Sequence, residues 1–165
     1  MEEQNVTFNL LDKSNKAIVD ACAQLMSESD PWITLKRSFE DVLEILEENS
    51  SEVHVAKIDE EFIGFAIIKM HGAFVGYIQS IAMMPQFRNR GIGKRFMKYL
   101  EARIFFEKPN VFICVSSFNP EAKRLYESLG YDIIGELKDY IVHGHSEILM
   151  RKSIAPMSEF KGKKK

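Results

Sequence analysis

The chain has 165 residues, 45% hydrophobic and 28% charged, which suits one globular domain with a real core. A formal net charge of -2 gives no overall pull toward nucleic acid or an anionic membrane, so any anion site has to be local. Two cysteines, Cys22 and Cys114, lie far apart without C-x-x-C spacing; this argues against a disulfide framework or a zinc site, and both read as buried free thiols.

The first residues, MEEQNV, are acidic and lack an apolar signal core. No apolar run reaches the ~18 residues of a spanning helix, so a cytoplasmic chain is expected. Residues 6–10 alternate like a strand. Residues 14–27 read as a helix, with Ala17, Ile18, Ala21, Leu25 and Met26 on one stripe. Pro31 breaks the pattern, since it disfavours helix at Asp30. A second helix is predicted through Leu35, Phe39, Val42, Leu43 and Leu46. Residues 52–58 and 62–70, joined by Asp59-Glu60-Glu61, read as a hairpin, with His54 and His71 as strand-end residues without a role. Residues 74–84 are apolar on both faces, as in a central strand, and Pro85 closes them. A helix over 91–106 carries Ile92, Phe96, Leu100 and Ile104 on one face. Residues 111–117 form another buried strand. Asn119-Pro120-Glu121 starts a helix, with Ala122, Leu125, Tyr126 and Leu129 inward and Gly130 as its stop. Residues 131–137 and 146–152 are two final strands, and 158–165 reads as a solvated tail.

The predicted order is β-α-α-β-β-β-α-β-α-β-β. It implies a mixed, mostly antiparallel central sheet with helices on both faces. The strand–helix–strand unit over 74–117 supplies a right-handed parallel crossover.

One stretch needs more than a packing reason. Residues 83–100 read MMPQFRNRGIGKRFMKYL, with basic residues and two glycines where a helix begins. A helix N-terminus exposes unbonded N–H groups and about half a positive charge. Glycine lets a ligand approach the backbone, and such a turn favours phosphate. The dinucleotide fingerprint fails because position 96 is Phe96, and the Walker loop fails because Arg88 and Arg95 stand where Gly and Ser/Thr belong. What remains is Arg-x-x-Gly-x-Gly after an apolar strand. Further on, Asn119 and Tyr126 are seven apart, two helical turns, and so share one side. A tyrosine hydroxyl there can donate a proton, or the pair can be no more than a cap and a core aromatic.

SIAMMPQFRNRGIGKRFMKYLE followed by SSFNPEAKRLYESLGY resembles the Gcn5-related N-acetyltransferase (GNAT) family. The match is close over 75–135, and the element order extends it over most of 5–152. The resemblance implies a GNAT-like acyl-CoA N-acyltransferase fold in one domain, 1–153, with 154–165 a flexible C-terminal tail. It implies acetyl-CoA as cosubstrate and no metal. Backbone groups of Ile81, Ala82 and Met83, on a strand splayed from its neighbour, would hold the pantetheine arm. Arg88, Asn89, Arg90, Gly91, Ile92, Gly93 and Lys94 would hold the pyrophosphate. Asn119 would contact the cofactor arm, and Tyr126 would be the general acid at the thioester sulfur.

The ribosomal-protein branch of the family carries a glutamate base five residues before the asparagine, where this chain has Cys114. Gln79 and Ser80 can order water but are poor bases. His143 and His145 read first as exposed structural residues, then as substrate contacts, and last as metal ligands. On the acceptor side the candidates are Asp30, Trp32, Gln79, Tyr140 and His143, with Asp30 suited to an ammonium group and Trp32 to packing against it. The expected partner is an amine substrate, small molecule or protein/peptide. Nucleic acid and membrane are not expected; the sequence does not name the oligomer, and the resemblance makes a homodimer possible, since family members often pair. The competing function is a non-catalytic acyl-CoA-binding or sensor module on the same fold.

Overall fold

The computed structural model describes residues 5–163. Its elements are β1 (Val6–Leu10), α1 (Lys16–Ser27), α2 (Phe39–Glu47), β2 (Ser51–Ile58), β3 (Glu61–Lys69), β4 (Tyr77–Met83), a 3-10 turn at Pro85–Phe87, α3 (Ile92–Phe105), β5 (Asn110–Ser116), α4 (Pro120–Ser128), β6 (Asp132–Leu137) and β7 (Glu147–Ser153). The strands form one sheet in the order β1-β2-β3-β4-β5-β7-β6. β4 and β5, joined through α3, run parallel; the other neighbours are antiparallel. The element order and mixed, mostly antiparallel sheet expected from periodicity are what the chain adopts.

Two apolar clusters cover the two faces. Val19, Cys22 and Met26 of α1 and Val42 and Leu46 of α2 pack with Val53, Val55, Phe65 and Ile67. Phe96, Met97, Leu100 and Ile104 of α3 and Tyr126 of α4 pack with Ala66, Ile68, Ile78, Val111, Ile113 and Val115. Neighbouring residues of β3, Ala66 and Ile67, thus go to opposite faces, the period-2 geometry of a strand buried on both sides.

Three local expectations need correction. α2 begins at Phe39, not near Leu35. Ser38 and Asp41 form a reciprocal capping box: Asp41 N–H donates to Ser38 Oγ at 3.1 Å and Ser38 N–H to Asp41 Oδ2 at 2.9 Å. That box fixes the start, and Leu35 is buried in the preceding turn instead. His54, read as a strand-end residue, sits mid-β2 and is 2% exposed. Its ring nitrogens face Tyr99 OH at 3.0 Å and Glu52 Oε2 at 3.2 Å, so its polarity is satisfied inside the fold. β4 begins at Tyr77 rather than residue 74, because Gly76 adopts φ +86°, which interrupts extended backbone.

Gly76 also anchors the parallel pair. Its carbonyl accepts from Phe112 N–H at 3.0 Å, and a Cβ there would fall on the Asn110 carbonyl oxygen and Ile104 Cγ2. Gly76→Ala combines left-handed strain with overpacking against backbone. It is expected to cost about 3 kcal/mol, read as a fall in Tm of about 6–12 °C.

Past β7, Ile154 N–H donates to the Pro109 carbonyl and Lys163 N–H to the Phe106 carbonyl, both at 3.0 Å. Part of the segment expected as a solvated tail therefore runs against the end of α3.

Candidate active site

β4 and β5 pair only at Tyr77↔Phe112 and Ile78↔Ile113. Beyond those residues β4 continues beside β3 and β5 beside β7, and a gap opens between them. The local cause lies in β4. Ile67 pairs with Ser80 but Ile68 with Ile78, so Gln79 is an extra, bulged residue. A bulge bends its strand and re-aims a side chain. Here it sits one residue past the last β4–β5 pair.

Two cavities meet at the gap. One, about 540 Å³, is lined by Tyr77, Gln79, Cys114, Ser116, Tyr140 and Glu147, among others. The second, about 690 Å³, runs along Ile81, Ala82 and Met83 to Arg88, Asn89, Gly91, Gly93 and Lys94. Both are lined by Pro31, Trp32, Ile81, Asn119, Ala122 and Tyr126. The result is a continuous passage with a helix N-terminus at one end and a polar chamber at the other.

That N-terminus is α3. Gly91 is its N-cap at φ 75°, with no side-chain cap, and Asn89 has φ 58°. Left-handed residues on either side of Arg90 curl the backbone so that successive N–H groups converge, a shape that binds anions. Nothing lies within 4 Å of where a Gly93 Cβ would stand, so a ligand can reach these amides. Arg88 Nε donates to the Met83 carbonyl at 3.0 Å, tying the turn to the end of β4. Ile92 lines neither cavity; its side chain is buried in the core at 4% exposure. Arg90 is not among the lining residues; its guanidinium lies over the Phe87 ring at 5.6 Å.

α4 supplies the middle of the passage. Asn119 Oδ1 accepts from Ala122 N–H at 3.2 Å as the helix cap. The cap uses the oxygen and not the amide hydrogens, and Asn119 lines both cavities. Tyr126 is 6% exposed, and burial pushes its phenol above the ordinary value, so it holds its proton throughout the neutral range.

The profile of the acetyltransferase (GNAT) family matches residues 19–131. The chain belongs to that family. An N-alpha-acetyltransferase of Sulfurisphaera tokodaii is 26% identical over 121 residues, 66% of this chain and 72% of that protein. An uncharacterized protein of Mycobacterium leprae is 31% identical over 145 residues, 82% of this chain but 38% of that protein. The chain thus spans well under half of that relative's length. The crystal structure of an aminoglycoside 6'-N-acetyltransferase complexed with coenzyme A superimposes with a TM-score of 0.71 at 20% identity, covering 91% of this chain and 98% of that one. The fold is the GNAT acetyltransferase fold.

Within this GNAT domain the residues singled out from sequence separate. Ile81, Ala82, Met83, Arg88, Asn89, Gly91, Gly93, Lys94, Asn119 and Tyr126 line the second cavity. Gln79 and Tyr140 line the other chamber, and Trp32 lines both. Asp30 lines the second cavity rather than the chamber, and its Oδ1 accepts from Thr34 Oγ1 at 2.8 Å. His143 lines neither cavity; its side chain is 97% exposed, 3.5 Å from Asp139. His145 packs edge-on to Phe118, ring centroids 4.7 Å apart. No helix among the described residues is long and apolar enough to cross a membrane.

Sequence reasoning missed Glu147. It opens β7 opposite Ser116 and is 4% exposed. Ser116 Oγ donates to its Oε1 at 2.6 Å. Burial pushes its carboxyl up, partly offset by that hydrogen bond. The available signal was an acid heading a buried apolar strand, which places it inward only once the register with β5 is known.

Proposed function

We infer that the chain transfers an acetyl group from acetyl-CoA to a primary amine by direct attack. The carrying observation is the uncapped N-terminus of α3 on one passage with Tyr126. The amides of Gly91 to Lys94 suit a diphosphate, since they combine unbonded N–H donors with the helix dipole. The edge of β4 facing the gap, at Ile81, Ala82 and Met83, has no strand beside it to take its backbone groups, and so suits an amide-bearing pantetheine arm. Asn119 contacts that arm through its free amide hydrogens. Acetyl-CoA supplies the activated acyl group and the leaving thiol, whose ordinary pKa is about 8.5. Tyr126 donates the proton that lets this sulfur leave. The chamber beyond, with Trp32, Gln79 and Tyr140, receives the acceptor.

Chamber chemistry narrows the acceptor. Beside Glu147 its charged lining residues are Lys36 and Arg37, both exposed and cationic. A polycation is repelled by such an entrance, whereas an amine carrying an acidic group, as in a peptide N-terminus followed by Asp or Glu, is drawn to it. An amine panel scored by thiol release should rank acidic-tailed peptides above polyamines by about tenfold in kcat/KM, and Arg37→Glu should reverse the order. Thiol release with none of the amines rejects the transfer reading in favour of an acyl-CoA sensor.

A further inference from the structure

We propose that Glu147 is the general base of this transfer, holding the acceptor's ammonium group in the chamber and taking a proton from it. The assignment rests on the acetyltransferase reading above. Among the described residues Glu147 is the one carboxylate lining the acceptor chamber. Ser116 Oγ engages its Oε1 at 2.6 Å, which fixes the carboxylate plane and leaves Oε2 for a substrate N–H. A second observation points the same way: Gln79 Oε1, on the bulge across the gap, is buried without a hydrogen-bond partner. Buried acceptors are ordinarily satisfied. A carboxylate and an orphaned amide oxygen lining one chamber ask for a ligand with several N–H donors on one atom, which an ammonium group is.

The other titratable groups lining the chamber do not fill the role. Tyr77 from β4 and Cys114 from β5 are both raised by burial and stay protonated near neutrality. Tyr126 from α4 keeps its proton for the sulfur. Tyr140, from the β6–β7 connection, is 65% exposed. Lys36 and Arg37, between α1 and α2, are cations. A base works best when its pKa approaches the operating pH, and burial moves Glu147 in that direction.

The proton count closes. The ammonium gives one proton to Glu147, and the freed nitrogen lone pair attacks the thioester carbonyl carbon. The C–N bond forms, the C–S bond breaks, and Tyr126 protonates the departing sulfur. The second nitrogen proton restores Tyr126 through solvent, and Glu147 releases its proton, so one H⁺ appears per amide formed.

The test compares the full chain with Glu147→Gln and Ser116→Ala, measuring kcat/KM against pH and calorimetric CoA binding. Glu147→Gln should lower kcat/KM about 100-fold or more, keep the Kd for CoA within twofold, and lose the acidic limb of the profile. Ser116→Ala removes a donor to the charged carboxylate, so it should move that limb to higher pH. Parent-like turnover in Glu147→Gln overturns the inference alone. Should Glu147→Gln fail to bind CoA because it has not folded, the Ser116→Ala profile decides, and an unmoved limb overturns the assignment. A parent chain that releases no thiol with any amine overturns the transfer reading and this inference together.

Discussion

Replacing Tyr126 by phenylalanine is expected to lower kcat by about 10²–10³-fold while the Kd for CoA stays within a factor of two. The substitution removes one oxygen and nothing else. The ring that packs at 6.0 Å from Tyr131 remains, and so does the wall shared by the two cavities. The contacts proposed for the cofactor, the α3 amides and the β4 edge, do not involve the hydroxyl. A thiolate leaving unprotonated into a site walled by Ile81, Ala122 and Leu125 meets little solvent to stabilise it, so the loss falls on turnover rather than affinity. The same variant separates an enzyme from a sensor on this fold. A sensor binds CoA equally well in both forms and has no thiol release to lose, so equal and negligible rates in parent and variant would reject the catalytic reading.

Some of this site was legible in the chain and some was not, and the division follows the range of the interactions. The α3 turn was readable because its physics is local: an apolar strand, glycines at 91 and 93, and a helix at period 3.6 all lie within twenty residues. Asn119 and Tyr126 were readable for the same reason, as a cap and a position two turns on. The bulge at Gln79 was hidden, although its side chain was singled out, because a bulge exists only relative to a partner strand. Glu147 was hidden more deeply. Its orientation depends on pairing with Ser116, 31 positions away, and a one-residue slip of β7 would turn it to the other face. The capping box at Ser38 and Asp41 was local and readable from S-x-x-D. The apolar spacing of Leu35 with Phe39 outweighed it, and the helix start came out too early.

Placing aspartate at Gly93 should raise the Kd for CoA about 100-fold or more while leaving Tm unchanged or slightly higher. The two effects have opposite sign for one physical reason. An acid in the first turn of a helix is favoured by the dipole and by the unbonded amides, by about 0.3–1 kcal/mol, and replacing glycine inside a helix removes some entropic cost. The apoprotein therefore gains. The same carboxylate occupies the open space beside Gly93 where the cofactor's diphosphate is to sit. Two like charges about 4 Å apart at a protein surface repel by roughly 4 kcal/mol, and the amides that should cradle the ligand are already engaged. Gly91 is the wrong position for this experiment: its φ of 75° would strain any substituted side chain and confuse lost binding with a distorted turn. Gly93 lies inside the helix with no Cβ neighbour, so calorimetry on Gly93→Asp reads the anion site without disturbing the fold. Undiminished CoA affinity in a well-folded Gly93→Asp chain would mean that the diphosphate binds elsewhere, and the roles assigned from Ile81 to Tyr126 would lose their common origin.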